Sequence, residues 1–150
     1  MLAPSGAAAQ LAAARFALTI DGHEVGSFSE LDGITAEIET ADFLTASDRA
    51  VVLKKFPGKP KAPTVVLRRG LNADIQMWAW HEAARLGDMG AARKSCSLTM
   101  YATDGTPVAR YHLTNAWPSK LEVVGSKAGA STVLTERMTL AADFLQRVSP

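Results

Sequence analysis

Few residues in this chain have a type and spacing that could do chemistry. His23, His81 and His112 are its three histidines. None has a second His or Cys at the short spacing that builds a metal site. Cys96 is the only cysteine, so no disulfide can form within the chain. A small buried hydrophobe is the ordinary reading of such a residue, and a reactive thiol the rarer one. Glu37 and Glu39 stand two apart, which on a strand puts both carboxylates on one face, as an acid–base pair would need. Thr35 shares that face, and a solvated Glu/Thr face is the commoner reading. The Gly-Asp-Met-Gly step at 87–90 has neither the spacing of a phosphate loop nor a strand before it. No serine lies in a nucleophile-elbow pattern. The sequence therefore predicts no catalytic residue, no metal site and no cofactor. It points to an interaction module rather than an enzyme.

Composition narrows this further. The 150 residues are 47% hydrophobic and 21% charged, as in one ordinary globular domain. Sixteen Lys and Arg against 15 Asp and Glu leave a net charge of +1, which disfavours nucleic acid as the main partner. No apolar run approaches the roughly 18 residues of a membrane span. The alanine-rich start lacks a basic leader, so residues 1–13 are expected to be a flexible arm rather than a signal peptide.

The elements that must position any surface are mostly strands. Phe16, Leu18 and Ile20 alternate with Ala17 and Thr19, and Asp21-Gly22 then turns the chain into a hairpin with "HEVGSF". Ile34, Ala36 and Ile38 alternate with Thr35, Glu37 and Glu39. Further strands are expected in "PTVVLRRGL", "SLTMYATDG", "TPVARYHLTNAW" and "TVLTERMTLAADFLQRV". Residues 44–63 differ. Three prolines and Lys54, Lys55, Lys59 and Lys61 predict an extended arm or loop, with Pro57-Gly58 as a turn and Pro60 and Pro63 blocking a regular ladder. A solvated loop and an arm that reaches another subunit are both open readings.

One helix is expected over 73–86, capped by Asn72 and stopped at Gly87. Ile75, Trp78, Ala79, Glu82, Ala83 and Leu86 form its predicted core stripe. Trp80 is displaced from Trp78 by about 200°, so it is expected to face elsewhere. Glu136 falls on the apolar side of the last strand region, where a buried charge would need a partner. The whole reads as one mainly β domain (α+β by content) over 14–150, an antiparallel sandwich or barrel-like fold of six or seven strands with one helix.

In order, the segments "FALTIDGHEVGSFSELDGITAEIE", "FPGKPKAPTVVLRRGLNADIQMWAW", "DGTPVARYHLTNAWPSK" and "TERMTL" resemble one family. It is the tail-tube protein family of contractile phage tails and phage-derived contractile injection systems. The resemblance rests on Asp21-Gly22, Phe28 leading to Asp32-Gly33, Pro57-Gly58, Leu67-Arg68-Arg69-Gly70, Trp80 in a helix and Asn115-Ala116-Trp117-Pro118.

The resemblance implies a structural role. Hexameric rings would stack into a hollow tube, with strands of neighbouring subunits joined into one β-barrel. A sheath would drive that tube through a target envelope. Implied partners are the chain itself, a sheath protein, baseplate, tape-measure and cap proteins, and a cargo protein or DNA in the lumen. No direct membrane insertion is implied. The particle, a phage tail or tail-like device, would be assembled in the bacterial cytoplasm. Thr35, Glu37, Glu39, Arg110, His112, Thr114, Thr135, Arg137 and Thr139 become candidates for the channel lining. Lys54, Lys55, Phe56, Lys59, Lys61 and Trp80 become candidates for contacts between subunits or stacked rings. A type VI secretion-like tube protein, a tube-initiator or baseplate adaptor ring, and a monomeric β-barrel binding module are the alternatives.

Overall fold

The structure is a computed structural model that describes residues 10–46, 50–125, 127–129 and 133–150. Most of the expected N-terminal arm, residues 1–9, and three residues of the expected loop, 47–49, lie outside the described residues. Among the described residues, eight strands and two helices follow in order. They are β1 (Arg15–Ile20), β2 (His23–Phe28), β3 (Glu30–Ala46), β4 (Val51–Gly70), α1 (Gln76–Arg85), α2 (Met89–Ala92), β5 (Lys94–Tyr101), β6 (Pro107–Val124), β7 (Thr135–Ala141) and β8 (Phe144–Val148).

Every pairing is antiparallel, along the path β2-β1-β5-β6-β7-β4-β3, with β8 added to β6. Strand β6 belongs to two layers. Its first half lies between β5 and β8, and its second half pairs with β7. The first layer is β2-β1-β5-β6-β8; the second is β6-β7-β4-β3. The apolar faces of both meet in one core, where Leu18, Leu98 and Leu113 of the first pack with Val65, Leu67, Met138 and Leu140 of the second. Burying each such side chain stabilises the fold by about 1.5–3 kcal/mol. Strict alternation of buried and half-buried residues in β7 is the local signature of this one-sided burial.

The corner of β6 has a specific cause. Asn115 adopts the left-handed conformation, φ 53°, inside the strand. Its side-chain amide donates to Asp143 Oδ2 at 2.9 Å, where the chain passes from β7 to β8. Pro118, just beyond, is fully buried. Asn tolerates this conformation better than other residues with a Cβ. Asn115→Ala should cost about 1–2 kcal/mol in urea unfolding. Asn115→Gly should cost less, because it keeps the backbone freedom and loses only the hydrogen bond. Asp21 (φ 51°) and Gly22 (φ 80°) form the expected tight turn between β1 and β2.

Residues 44–46 of β3 and 51–63 of β4 are not a loop but the far part of one long hairpin whose ladder runs out to Ala46↔Val51. The prolines do not block it. Pro60 lies opposite Ile38 and Pro57 opposite Thr40, with register shifts between Thr35 and Glu37 and between Ile38 and Thr40. Bulges of this kind accommodate proline in a ladder. Gly58 sits at such a shift, where a Cβ would stand 2.9 Å from the Glu39 carbonyl oxygen. Beyond Thr64, the last β4 residue paired to β7, the hairpin is only two strands wide. Its outer ten residues per strand can extend about 30 Å.

The helix is shorter than expected and turned the other way. Asn72 does not cap it. Asn72 Oδ1 accepts from the Asp74 amide, and Asp74 Oδ1 accepts from the Gln76 amide, each at 2.9 Å. Met77 and Trp80 are the buried residues of α1. Trp80 is 7% exposed and Trp78 54%, while Ile75 and Leu86 also lie outside. Of the expected core stripe, Ile75, Trp78, Ala79 and Leu86 are thus exposed, and Glu82 and Ala83 are half-buried. Long-range polar contacts set the phase. Trp80 Nε1 donates to the Ala92 carbonyl, and His81 Nδ1 lies 2.9 Å from the Pro118 carbonyl oxygen.

Candidate functional site

The candidate channel residues divide between opposite sides of the molecule. Arg110 and His112 lie on the outer face of the first layer, half-buried, with Thr99 and Ser97 beside them on β5. Arg110 Nε donates to Thr99 Oγ1 at 3.3 Å, and His112 Nδ1 is 3.4 Å from Ser97 Oγ. Thr114 is on the same strand, paired with Phe144. Thr135, Arg137 and Thr139 lie on the outer face of the second layer, opposite Gly70, Arg68 and Val66. Thr35 joins them through Thr64. The core lies between the two sets, so one channel cannot be lined by both. Period-two alternation separates in from out within each strand but cannot say that β6 changes layers.

Glu37 and Glu39 belong to neither set. They stand on the two-stranded hairpin beyond the four-stranded layer. Glu37 pairs with Lys61 at 3.3 Å in an exposed ion pair, which such pairs make weak. Lys54, Lys55, Phe56 and Lys59 lie further along the same hairpin and are exposed. Phe56 stacks on Phe43, ring centroids 4.3 Å apart, while Leu44, Val51, Val52 and Leu53 are exposed nearby. Trp80 must be removed from the contact candidates. Its ring is core, and Trp78 is the tryptophan left at the surface.

The outer face of the second layer carries a row of charges that sequence reading missed. Arg68 Nη2 is 3.0 Å from Asp32 Oδ2, and Arg68 Nε is 3.8 Å from Glu30 Oε2. Arg137 Nη1 is 3.7 Å from the same Asp32 oxygen, and its Nε is 2.8 Å from Glu122 Oε2. Lys120 Nζ is 3.2 Å from Glu122 Oε1. Three acids and three bases from β3, β4, β7 and β6 therefore alternate across the full width of the sheet. The residues are scattered from 30 to 137, so no short motif announces them.

The Arg137 hydrogen bond, then the one from Lys120, lowers the Glu122 carboxyl below the ordinary glutamate value of 4.5. A carboxyl lowered by folding contributes stability above its unfolded value and loses it as pH falls through its folded value. The Glu122 contacts to Arg137 and Lys120 are therefore charged at neutral pH and are lost only as pH falls below 4.5. An NMR titration should place the Glu122 midpoint below 4.5, and Arg137→Gln should move it upward.

One ion pair points inward. Arg69 and Glu136 are 5% and 8% exposed, and Arg69 Nε lies 3.2 Å from Glu136 Oε2. This is the partner that a buried Glu136 requires. The Arg69 guanidinium also lies over the Phe28 ring, 5.3 Å from its centroid. Gly70 ends β4 beside Val133, Gly33 faces Val66 on β4, and Trp117 is half-buried opposite Ala141. Among the described residues, no cluster of three or more His, Cys, Asp or Glu is arranged to hold a metal ion, and no helix is long and apolar enough to cross a membrane.

A family profile described as "T4-like virus tail tube protein gp19" matches residues 12–146. The chain belongs to the tail tube protein family. No curated protein matches it. Solved structures share the tail-tube fold at low identity. A chain of the sheath–tube complex of PVC, an extracellular contractile injection system in its extended state, has a TM-score of 0.77 at 18% identity, covering 100% of both chains. A chain from the cap of the anti-feeding prophage, titled as a tube-terminating cap, scores 0.75 at 22% identity, covering 95% of each. Hcp1 from Flavobacterium johnsoniae scores 0.51 at 15% identity, covering 90% of this chain and 95% of that one. The tail-tube membership and the antiparallel β fold thus agree with the sequence reading, and the likeness to Hcp1 is the weaker one. As a member of that family, this tail tube protein is a structural tube subunit.

Proposed function

We propose that the chain forms hexameric rings that stack into the inner tube of a contractile injection device. The observation that carries this reading is the β3–β4 hairpin. A two-stranded ribbon is marginal in water by itself, and this one bears Phe43, Leu44, Val51, Val52, Leu53 and Phe56 at its surface. Contact with another copy would bury them, so the hairpin acts as an arm between neighbours or stacked rings. A monomeric binding module gives it no role.

In this reading the outer face of the second layer lines the channel, with Thr35, Thr135, Arg137 and Thr139 from the expected set. Arg110, His112 and Thr114 face away from the bore. The tube has no catalytic function. Its partners are a sheath around it and baseplate and cap proteins at its ends, by analogy with the complexes that contain its structural relatives. Cargo, a protein or DNA, would occupy the bore, and assembly would take place in the bacterial cytoplasm.

Negative-stain microscopy of the purified chain tests the proposal. Rings or tubes are expected. Replacing residues 37–61 by a short turn should leave a folded monomer. Rings formed without the hairpin, or a wild-type chain monomeric at high concentration, would refute it.

A further inference from the structure

The second layer ends in two open edges. Among the described residues, β3 has only β4 as a strand partner, and β6 from Ser119 onward has only β7. The other side of β6 is closed just before that point, where His81 of α1 meets the Pro118 carbonyl. Open edges are pairing sites. Their directions also suit each other. β3 is antiparallel to β4, β4 to β7 and β7 to β6. A second copy set beside the first in the same orientation therefore brings its β3 antiparallel to β6.

The charge row ends differently at the two edges. At β3 it ends in acids, and Glu30 has only the 3.8 Å contact to Arg68, with 61% of its side chain exposed. At β6 it ends in Lys120, 62% exposed. Where β6 of one copy meets β3 of the next in a ring joined strand to strand, as the family resemblance implies, we propose that Lys120 against the neighbouring copy's Glu30 sets the register of the seam. The proposal rests on the ring reading above and specifies its joint.

Register decides between two seams. Glu30, Arg68, Arg137 and Glu122 stand at one level across the sheet. An unstaggered seam would put Glu122 opposite the next copy's Glu30, and like charges directly opposite repel. A slip of one residue would turn every side chain to the wrong face. A slip of two residues keeps the faces and puts Lys120 opposite Glu30. Closing strands into a barrel requires stagger of this kind. The row then continues from copy to copy without a break in its alternation.

The test is a cysteine pair, Glu30→Cys with Lys120→Cys, oxidised in assembled rings. Within one copy the two positions are three strand spacings apart, about 14 Å, too far for a disulfide. Cys96 is buried, with its thiol pushed up to about 12 by that burial, so it does not compete. A covalent ladder closing at the ring size is expected on a non-reducing gel, and none from either single variant. Rings without a ladder would overturn the seam. So would a ladder from Glu24→Cys with Arg147→Cys, which joins the edges of the first layer instead. If the cysteine pair blocks assembly, charge reversal decides. Lys120→Glu should raise the concentration needed for assembly about tenfold, and adding Glu30→Lys should recover it. Unchanged assembly of Lys120→Glu overturns the proposal. A wild-type chain that forms no rings instead removes the ring reading itself.

Discussion

Trp80→Ala should lower the stability of the isolated chain by about 3–5 kcal/mol, whereas Trp78→Ala should leave it within about 0.5 kcal/mol. The two rings stand two residues apart on α1 but occupy opposite environments. Trp80 packs in the core cluster with Met77, Phe28 and Leu18 and spends its indole N–H on the Ala92 carbonyl. Removing it leaves a cavity and an unpaired buried carbonyl together. Trp78 is more than half exposed, its ring 5.9 Å from that of His81. Urea unfolding followed by circular dichroism reads both variants. A large loss for Trp78→Ala and a small one for Trp80→Ala would invert the helix orientation described above.

Breaking the Arg69–Glu136 pair should be as costly. Arg69→Ala or Glu136→Ala should each destabilise the chain by about 3–5 kcal/mol, since either leaves a charge buried alone. A total stability of about 5–15 kcal/mol makes this a large fraction. The loss is not a measure of what the pair contributes. Among the described residues, Arg69 Nη2 is buried without a hydrogen-bond partner, so the pair is imperfectly satisfied. Replacing both residues together, Arg69→Met with Glu136→Leu, should therefore restore most of the stability. Chemical denaturation of the two singles and the double closes the cycle. A double variant as unstable as the sum of the singles would contradict this account.

Sequence alternation was enough to place β1, β5 and β7, because one-sided burial writes itself into neighbouring residues, and the turn signal placed β2. Asp21-Gly22 marked its turn for an equally local reason: both residues there have positive φ. The helix phase was not legible. Ile75, Trp78 and Leu86 make the better apolar stripe, yet contacts to Ala92 and Pro118, 12 and 37 residues from their donors, turn it outward. Trp78 could have been recognised as surface only from outside the helix. The hairpin was missed because Pro57 and Pro60 argue against a central strand. They do not argue against a ribbon with no third strand beside it. Of the candidate lining, Thr135, Arg137 and Thr139 fell together on one outer face. Arg110 and His112 were separated from them by the corner at Asn115, a tertiary fact carried by one residue's φ.

That corner has a mechanical meaning. β6 passes from one layer into the other as a single strand, and β7 and β8 follow it along the same edge. β2 and β3 are divided only by Ser29, whose amide donates to the Arg68 carbonyl at 3.1 Å. Sliding one layer over the other would have to bend or tear backbone common to both. Side-chain packing alone would yield more gradually. A thrust applied to the first layer therefore reaches the second through covalent chain, at two corners of each subunit. A tube built from such subunits would transmit axial load as a unit rather than delaminate.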